Sequence, residues 1–387
     1  MSMFAEVGVV GGGPAGARVA ELLAGGGTDV VVWDPKAPWE KPCGGGLTAG
    51  LLRAVPEVRE VLPRARAVGR VLLAAGDVLV PIRLGRPIHV IARRVLGDWQ
   101  LARARAAGAV IEPVGVRAIA RTAGGWAVTL RDGVVRHVRH VVGADGAASL
   151  VRAAAAPGLR VGLEPTRVLY PEVVEQEEPV ITLKFSPGLV GYAWDFPRPG
   201  HRSVGAVAAP GAGGRERLDA EIESLATATT TTARRGAVIG SALYPLRGQH
   251  DAIGGADFAL IGDAAGLADP ATGEGITNAF RSGALAAEVF AGDRSFRRYP
   301  ALAAARFERE FRTGRWLRYL MYDRGWAVAI IEAASRRPRM AAAAERLMND
   351  TNDHRSFAAM VVRVIGAMLP PWLGGNVLSR GLVEQPE

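Results

Sequence analysis

Three glycines and an acid carry the first chemical signal in this chain. Gly11, Gly13 and Gly16 have the spacing Gly-x-Gly-x-x-Gly, with Pro14 and Ala15 inside it, and Asp34 follows 21 positions after Gly13, ahead of Pro35. Glycine is needed where a chain turns tightly, where a pyrophosphate approaches the backbone and where a helix packs closely on a strand. The chemistry implied is dinucleotide binding, with free N–H groups of a helix start on the phosphates and the Asp34 carboxylate on a ribose. Two further clusters follow the same logic: VVGADGAASLVR at 141–152, containing Asp145, and LIGDAAGLADPATGEGITNAF at 260–280, containing Gly262 and Asp263. In the latter, Gly273, Glu274, Gly275 and Ile276 open a helix. The sole cysteine, Cys43, stands in KPCGGGL beside Gly44, Gly45 and Gly46, and PGLVGYAWDFP at 187–197 alternates Tyr192, Trp194 and Phe196. That alternation puts the three rings on one face of a strand.

The elements that must position these residues are legible in outline. Residues 5–12 read as a buried strand, 14–24 as an alanine-rich helix and 29–33 as a second strand ending at Asp34, a β-α-β unit of roughly 30 residues. The β-type runs 71–74 and 78–82 follow, then a helix over 94–107 that stops at Gly108, then alternation over 109–142 that predicts an antiparallel meander. From 160 to 250, segments such as VITLKF, GYAWDF and SVGAVAA predict a second domain built on a sheet. The buried-strand pattern returns at 258–262, so Asp263 falls at the C-terminal edge of a strand, where ligands bind in open α/β sheets. The expected division is a discontinuous first domain (1–70, 91–160 and 251–295), a sheet domain (71–90 and 161–250) and a helical region (296–387).

Composition narrows the function classes. The chain has 387 residues, 49% of them hydrophobic and 22% charged, enough for two domains. One cysteine excludes an intramolecular disulfide framework and a cysteine-based zinc site, no other metal site is predicted, and a reducing, cytoplasmic location is expected. The start MSMFAEVGVVGGG leaves no room for a secretory leader. No apolar run reaches the ~18–20 residues of a membrane span; FAAMVVRVIGAML at 357–369 is interrupted by Arg363 and is too short. The net charge of +9, nearly all from arginine, favours acidic lipid or a phosphorylated substrate. Nucleic acid is not expected, because no compact basic run is interleaved with aromatics.

Taken together, the glycine opening, GADGxxSxVR and GDAAG…GEGI resemble the FAD-binding fold shared by para-hydroxybenzoate hydroxylase-type monooxygenases, flavin halogenases and geranylgeranyl reductases. The resemblance covers about the first 155 residues plus 255–290. It implies an α/β (α+β) fold: a Rossmann-like FAD-binding domain, an inserted β-sheet substrate domain and a C-terminal helical region. It implies FAD, with Gly11, Gly13, Pro14, Ala15, Gly16, Asp34 and Pro35 on the adenosine diphosphate part. Asp145, Gly262 and Asp263 accompany the cofactor further along, Asp263 on the ribityl chain. The helix opened by Gly273, Gly275 and Ile276 would stabilise negative charge on the reduced flavin. An arginine at the start of a helix also touches the cofactor in this fold; the spacing to Gly108 points to Arg93, with Arg94 adjacent. Within the superfamily, KPCGGGL resembles the PCGGG segment of geranylgeranyl reductases, which places Cys43, Gly44, Gly45 and Gly46 beside the flavin. PGLVGYAWDFP resembles their PxxYxWxFP motif through Tyr192, Trp194, Phe196 and Pro197, although Pro187 lies two residues further from the tyrosine than that pattern asks.

The resemblance implies hydride transfer from reduced FAD to an alkene of a polyprenyl chain, with electrons from NADPH or reduced ferredoxin. A proton must arrive on the opposite carbon. Such a site is dry, apolar and long, with Tyr192, Trp194 and Phe196 as its substrate wall and the glycines leaving room for a ring and an alkene. Catalytic roles fall to Cys43, Tyr192 and Trp194; a thiol of pKa about 8.5 is nevertheless a weak acid for protonating an alkene. The expected partner is an isoprenoid or other apolar molecule, diphosphate- or lipid-linked; 357–373 is expected as a packed amphipathic helix, with peripheral membrane contact as the alternative. The competing classes are a monooxygenase or halogenase of the same superfamily, and a non-redox isomerase or cyclase resembling lycopene cyclase.

Overall fold

The computed structural model describes residues 4–172, 178–209, 214–229, 240–247, 252–336 and 342. The chain begins with β1 (Ala5–Val10), α1 (Pro14–Gly25) and β2 (Val30–Trp33). It continues through β3 (Gly46–Leu47), α2 (Ala49–Ala54), β4 (Arg66–Ala75), β5 (Val78–Val90), α3 (Arg93–Ala106) and β6 (Val110–Glu112). Then come β7 (Val116–Thr122), β8 (Gly125–Leu130), β9 (Val135–Gly143), α4 (Leu150–Ala155), β10 (Val161–Leu169) and β11 (Ile181–Phe185). The remainder is β12 (Gly191–Arg198), β13 (His201–Ala208), α5 (Gly214–Thr229), β14 (Gly240–Arg247), β15 (Phe258–Leu260), α6 (Ile276–Asp293), α7 (Tyr299–Arg318) and α8 (Ala327–Ser335).

These strands form two sheets. The first has the order β6-β2-β1-β9-β8-β7, with β15 also pairing with β9. Its centre is parallel, and β1 and β2 are buried almost throughout, as strands covered on both faces must be. Gly8 in β1 makes room for the Trp33 indole, which a Cβ there would strike. Only 116–143 is the expected meander: β6 is instead the parallel edge partner of β2, reached through the α3 crossover. Three residues of alternation cannot say which neighbour a strand will choose, and the crossover decides it.

The second sheet runs β14-β10-β13-β12-β11-β4-β5-β3, antiparallel except for β11 on β4. The β4–β5 hairpin is far longer than the apolar runs beside its turn, because exposed or half-buried arginines such as Arg66, Arg70 and Arg83 interrupt its strands toward the open end. The last two residues of KPCGGGL enter this sheet as β3, pairing with Val90 and His89. The loop therefore starts beside the first sheet and ends as a strand of the second.

Each sheet has its own core. One gathers Val7, Val31, Trp33, Val141 and Leu260 with Phe290 and Phe307 of the C-terminal helices. The other sets Val71, Leu73, Ile82 and Phe185 against Leu317, Met321, Tyr322, Ile330 and Ile331. The helical region thus covers the second sheet through α8 and the π-helical turn Tyr319–Asp323. Among the described residues, no helix is long and apolar enough to cross a membrane. The segment 357–373 lies outside the described residues.

One buried cation holds the two halves together. Arg198, at the end of β12, is 0% exposed. Its guanidinium donates to the carbonyls of Cys43 (2.5 Å) and Gly44 (3.2 Å) and to Oε1 of Glu40 (2.5 Å). Ser203 of β13 adds a second donor to the Cys43 carbonyl at 2.8 Å. Arg198→Met would strip the Gly44 carbonyl of this donor and Glu40 of its cation, leaving Ser203 alone on the Cys43 carbonyl, so denaturant titration is expected to show a loss of about 1–3 kcal/mol. Arg198→Lys should recover little of it, because an ammonium lacks the fork; a lysine variant as stable as the parent would refute the role.

Candidate functional site

A cavity of about 1270 Å³ lies where the two sheets meet. Loops at the C-terminal ends of first-sheet strands supply one part of its wall, through Gly11 to Ala15, Asp34, Pro35 and Ala144 to Ala148. The second sheet and the C-terminal helices supply another, through Phe185, Tyr192, Trp194, Phe196, Tyr322, Ile330 and Ile331. Between them stand Lys41 to Gly46, Arg93, Asp263 and Gly273 to Ile276. Every residue anticipated from the sequence borders this cavity except Gly16 and Gly262.

Those two glycines work behind the wall. A Cβ on Gly16 would collide with the Gly11 carbonyl, so the third glycine serves close packing of helix on turn. Gly262, at φ +55°, donates its N–H to Ser282 Oγ (3.0 Å) and faces the Ala15 methyl. Neither lines the cavity: Gly16 packs the first motif on its own turn and on Ala144 of the second, and Gly262 brings the third motif against the first.

The cradle suits a pyrophosphate. Gly13 is the N-cap of α1, Pro14 occupies the first turn, and a Cβ on Gly13 would meet nothing within 4 Å. The opening amides of the helix thus face open cavity at its positive end. Asp34 accepts the N–H of Gly12 (2.8 Å), Lys36 (2.8 Å) and Ala37 (3.0 Å), fastening the following loop to the glycine turn. A carboxylate has about four acceptor sites, which leaves capacity for a ribose hydroxyl. The Asp145 carboxylate is engaged by Ser149 Oγ and by the amides of Leu150 and Val151, tying down the start of α4. Burial pushes its pKa up against these donors.

Arg93 and Arg94 differ in burial and in their place relative to the cavity. Arg93 is buried and borders the cavity, whereas Arg94 is exposed and does not. Glu40 accepts the N–H groups of both (3.0 and 3.1 Å), fixing the start of α3 while its Oε1 also binds Arg198. Arg93 Nε is buried without a hydrogen-bond partner among the described residues, as a donor kept for a bound polar group would be.

Several contributors escaped the sequence. Lys41 pairs with Asp263, so the strand-edge carboxylate is joined to the cysteine loop. Arg152, inside the second motif, donates to the Ala264 carbonyl (2.8 Å) and to that of Ala147, clamping the second motif to the third. Its conformity to the motif was the only signal available. Phe185 was visible only as the last residue of the β-type run VITLKF, and Tyr322 stood in no motif. Glu274 was visible only as an acid between two glycines.

At the apolar side, Tyr192 packs against Trp194 (ring centroids 5.9 Å), Phe185 (6.1 Å) and Tyr322 (6.3 Å), while Phe185 and Tyr322 stack at 11°. The Tyr192 hydroxyl donates to the Thr272 carbonyl and that of Tyr322 to the Ala271 carbonyl, both at 2.9 Å. Burial drives both phenol pKa values up. With its hydroxyl tied off, Tyr192 offers the cavity its ring. The glycines of KPCGGGL behave differently from expectation: Cβ atoms on Gly44 and Gly46 would meet the Phe196 ring at 3.0 and 3.2 Å. Phe196 fills the space that the missing side chains of Gly44 and Gly46 vacate, while Gly45 makes room for the Ile91 carbonyl and the Arg198 guanidinium. Cys43 is half-buried; its sulfur accepts the Gly45 N–H at 3.4 Å and packs at the edge of the cluster around Leu47, Leu51 and Ile91.

No family model matches the chain. It is 30% identical to a menaquinone reductase of Mycobacterium tuberculosis, over 99% of this chain and 98% of that protein. It is also 30% identical to a geranylgeranyl diphosphate reductase of Rhodobacter capsulatus, over 73% of each, and to a digeranylgeranylglycerophospholipid reductase of Methanopyrus kandleri, over 73% of this chain and 80% of that one. Among solved structures, a geranylgeranyl bacteriochlorophyll reductase-like protein from Thermoplasma acidophilum has a TM-score of 0.71 at 19% identity, covering 94% of this chain and 98% of its own. A triple mutant of a flavin-dependent brominase reaches 0.71 at 16% identity, covering 94% and 99%. With glycine cradle, clamped motifs and cysteine loop assembled on one cavity, the chain belongs to the geranylgeranyl reductase family of FAD-dependent oxidoreductases, within the para-hydroxybenzoate hydroxylase-like flavoproteins.

Proposed function

We propose that this FAD-dependent reductase saturates C=C bonds of a polyprenyl chain. The observation that carries the reading is that the dinucleotide cradle and the aromatic-walled pocket are one continuous cavity. An apolar chain threading the second part reaches the cofactor in the first. Menaquinone and geranylgeranyl diphosphate, the compounds named for two relatives, differ in head group and have a polyprenyl chain in common. That shared part is what such a wall recognises.

Bound and reduced, FAD supplies hydride, with NADPH or reduced ferredoxin as the source of its electrons. Gly11, Gly13, Pro14 and Ala15 hold the pyrophosphate, Asp34 and Pro35 the adenosine side, and Arg93 and Asp263 the middle of the cofactor. Gly273, Gly275 and Ile276 present the start of α6. Cys43 and its loop border the junction of the two parts of the cavity, where Phe196 covers the glycines and the alkene enters beside it. Tyr192, Trp194 and Phe196 orient the chain and keep water out, which strengthens every electrostatic contact inside.

Anaerobic incubation of the reduced enzyme with geranylgeranyl diphosphate, and separately with a menaquinone, tests the reading. A mass gain of two hydrogens per saturated bond on the isoprenoid, with flavin reoxidation, is the expected result. Turnover only after oxygen or halide is added would establish a monooxygenase or halogenase instead, and a product of unchanged mass without flavin reoxidation an isomerase or cyclase. Gly11, at φ +101° and pressed on the Ala144 backbone, tolerates no side chain, so Gly11→Ala should purify with sharply reduced flavin content. Phe185, Met321 and Tyr322 separate the main cavity from a second one of about 240 Å³. Tyr322→Ala should join the two and shift the preferred substrate, in competition assays of graded chain length, toward longer chains; an unshifted preference would remove these residues from the end wall.

A further inference from the structure

We propose that Tyr192 and Tyr322 are positioning residues that couple the apolar pocket to the cofactor: their hydroxyls hold the loop 269–275, which opens α6 on the cofactor side, so that a chain lying on their rings is felt at the flavin. The inference rests on the reductase reading above, since it takes the aromatic wall as the seat of the polyprenyl chain.

The loop lies at the meeting of the two walls. Ala271, Thr272, Gly273, Glu274 and Gly275 all border the cavity, and Ile276 begins α6 directly afterwards. Much of its bonding is internal. One oxygen of Asp269 accepts the amides of Ala271 (3.0 Å) and Thr272 (2.8 Å) and the Thr272 hydroxyl (2.8 Å). The Asp269 N–H donates to the Glu274 carbonyl (2.8 Å), and the Gly273 N–H to the Asp269 carbonyl (3.0 Å). Glu274 Oε1 caps α6 on the Thr277 N–H at 2.7 Å, while its Oε2 is sealed from solvent. Two consecutive carbonyls, those of Ala271 and Thr272, are taken from the apolar wall instead, by Tyr322 and Tyr192 at 2.9 Å each. A buried carbonyl left without a donor is costly, so the loop settles where these two phenols are.

The same phenols make up the wall on which a chain would lie. Tyr192 comes from β12 and Tyr322 from the π-helical turn Tyr319–Asp323, a kind of turn that recurs at functional sites. Their rings lie 6.3 Å apart at 23°, with Phe185 stacked on Tyr322. A phenol is rigid and planar, and its ring and oxygen move as one body. Whatever packs on the ring therefore shifts the hydroxyl, and with it the carbonyl it holds and the start of α6. The field of a helix end falls off within one turn, so a small displacement changes how far α6 favours negative charge on the reduced flavin.

The test uses FAD-loaded protein and phytanol, a saturated isoprenoid alcohol that offers no alkene to reduce. Bound to the wild type, phytanol is expected to shift the visible flavin spectrum and the flavin midpoint potential. The double variant Tyr192→Phe with Tyr322→Phe keeps both rings and loses both hydroxyls. It should still bind phytanol in equilibrium dialysis, while both shifts disappear. Its ligand-free potential should lie below that of the wild type, because the positive end of α6 is no longer held in place. With a saturating polyprenyl substrate, flavin reoxidation should slow by about 10- to 100-fold with KM little changed. A wild type whose flavin ignores bound phytanol, or a variant whose flavin responds as the wild type does, would overturn the proposal. Should the double variant lose its flavin, the single variants take its place, each expected to respond less than the wild type and each refuting the coupling if it responds equally. A wild type that shows the phytanol response yet saturates no polyprenyl compound overturns the reductase reading and leaves the coupling standing.

Discussion

The constraint on which the site depends is the capture of a glycine-rich loop by a guanidinium from another part of the fold. Arg198 and the Cys43 carbonyl are 155 positions apart in sequence, yet their hydrogen bond fixes where the cofactor cradle ends and the apolar pocket begins. A bare glycine backbone has little to pack with and much entropy to lose on ordering. Its carbonyls need partners from outside, and Arg198, Ser203 and the β3–β5 pairing provide them. Phe196 then closes over the glycines. The loop is ordered by the second sheet, so the two parts of the cavity share one scaffold.

The cavity joins two kinds of wall that physics normally keeps apart. The cradle offers the start of α1 and the unpartnered Arg93 Nε, suited to phosphate and ribose, while the aromatic side offers rings whose hydroxyls are already tied off. Between them run the Lys41–Asp263 pair and Glu274. A dry pocket raises the cost of any charge it holds, which is why Lys41 and Asp263 are paired and the Tyr192 and Tyr322 hydroxyls are bonded to carbonyls. Arg152 and the two glycines behind the wall, Gly16 and Gly262, hold the motifs in register so that this transition falls at one place.

Much of the cofactor half was legible because its requirements are local. A turn that admits only glycine, an acid at a strand end and a helix opened by glycines each announce themselves within a few residues, and the order of the three motifs tells which fold they serve. The alternation of Tyr192, Trp194 and Phe196 was likewise readable, since a strand's period is strict. Phe185 and Tyr322 were not, because a residue's place on a cavity wall depends on which elements pack together. Arg198 gave no signal beyond being an arginine, and Glu274 looked like a solvated acid at a helix start.

By itself the sequence determined the order of elements, the strand-turn-helix geometry of the cradle and the chemical class of ligand that suits it, because bond rotation, glycine sterics and hydrophobic period act over neighbouring residues. Only the tertiary structure decided that Arg93 rather than Arg94 meets the cavity, that Phe196 occupies the space beside the glycines, and that β6 joins the parallel edge. It also decided that one oxygen of Glu274 is sealed from water. These are matters of burial and of which distant surfaces touch, and burial is a property of the whole folded chain.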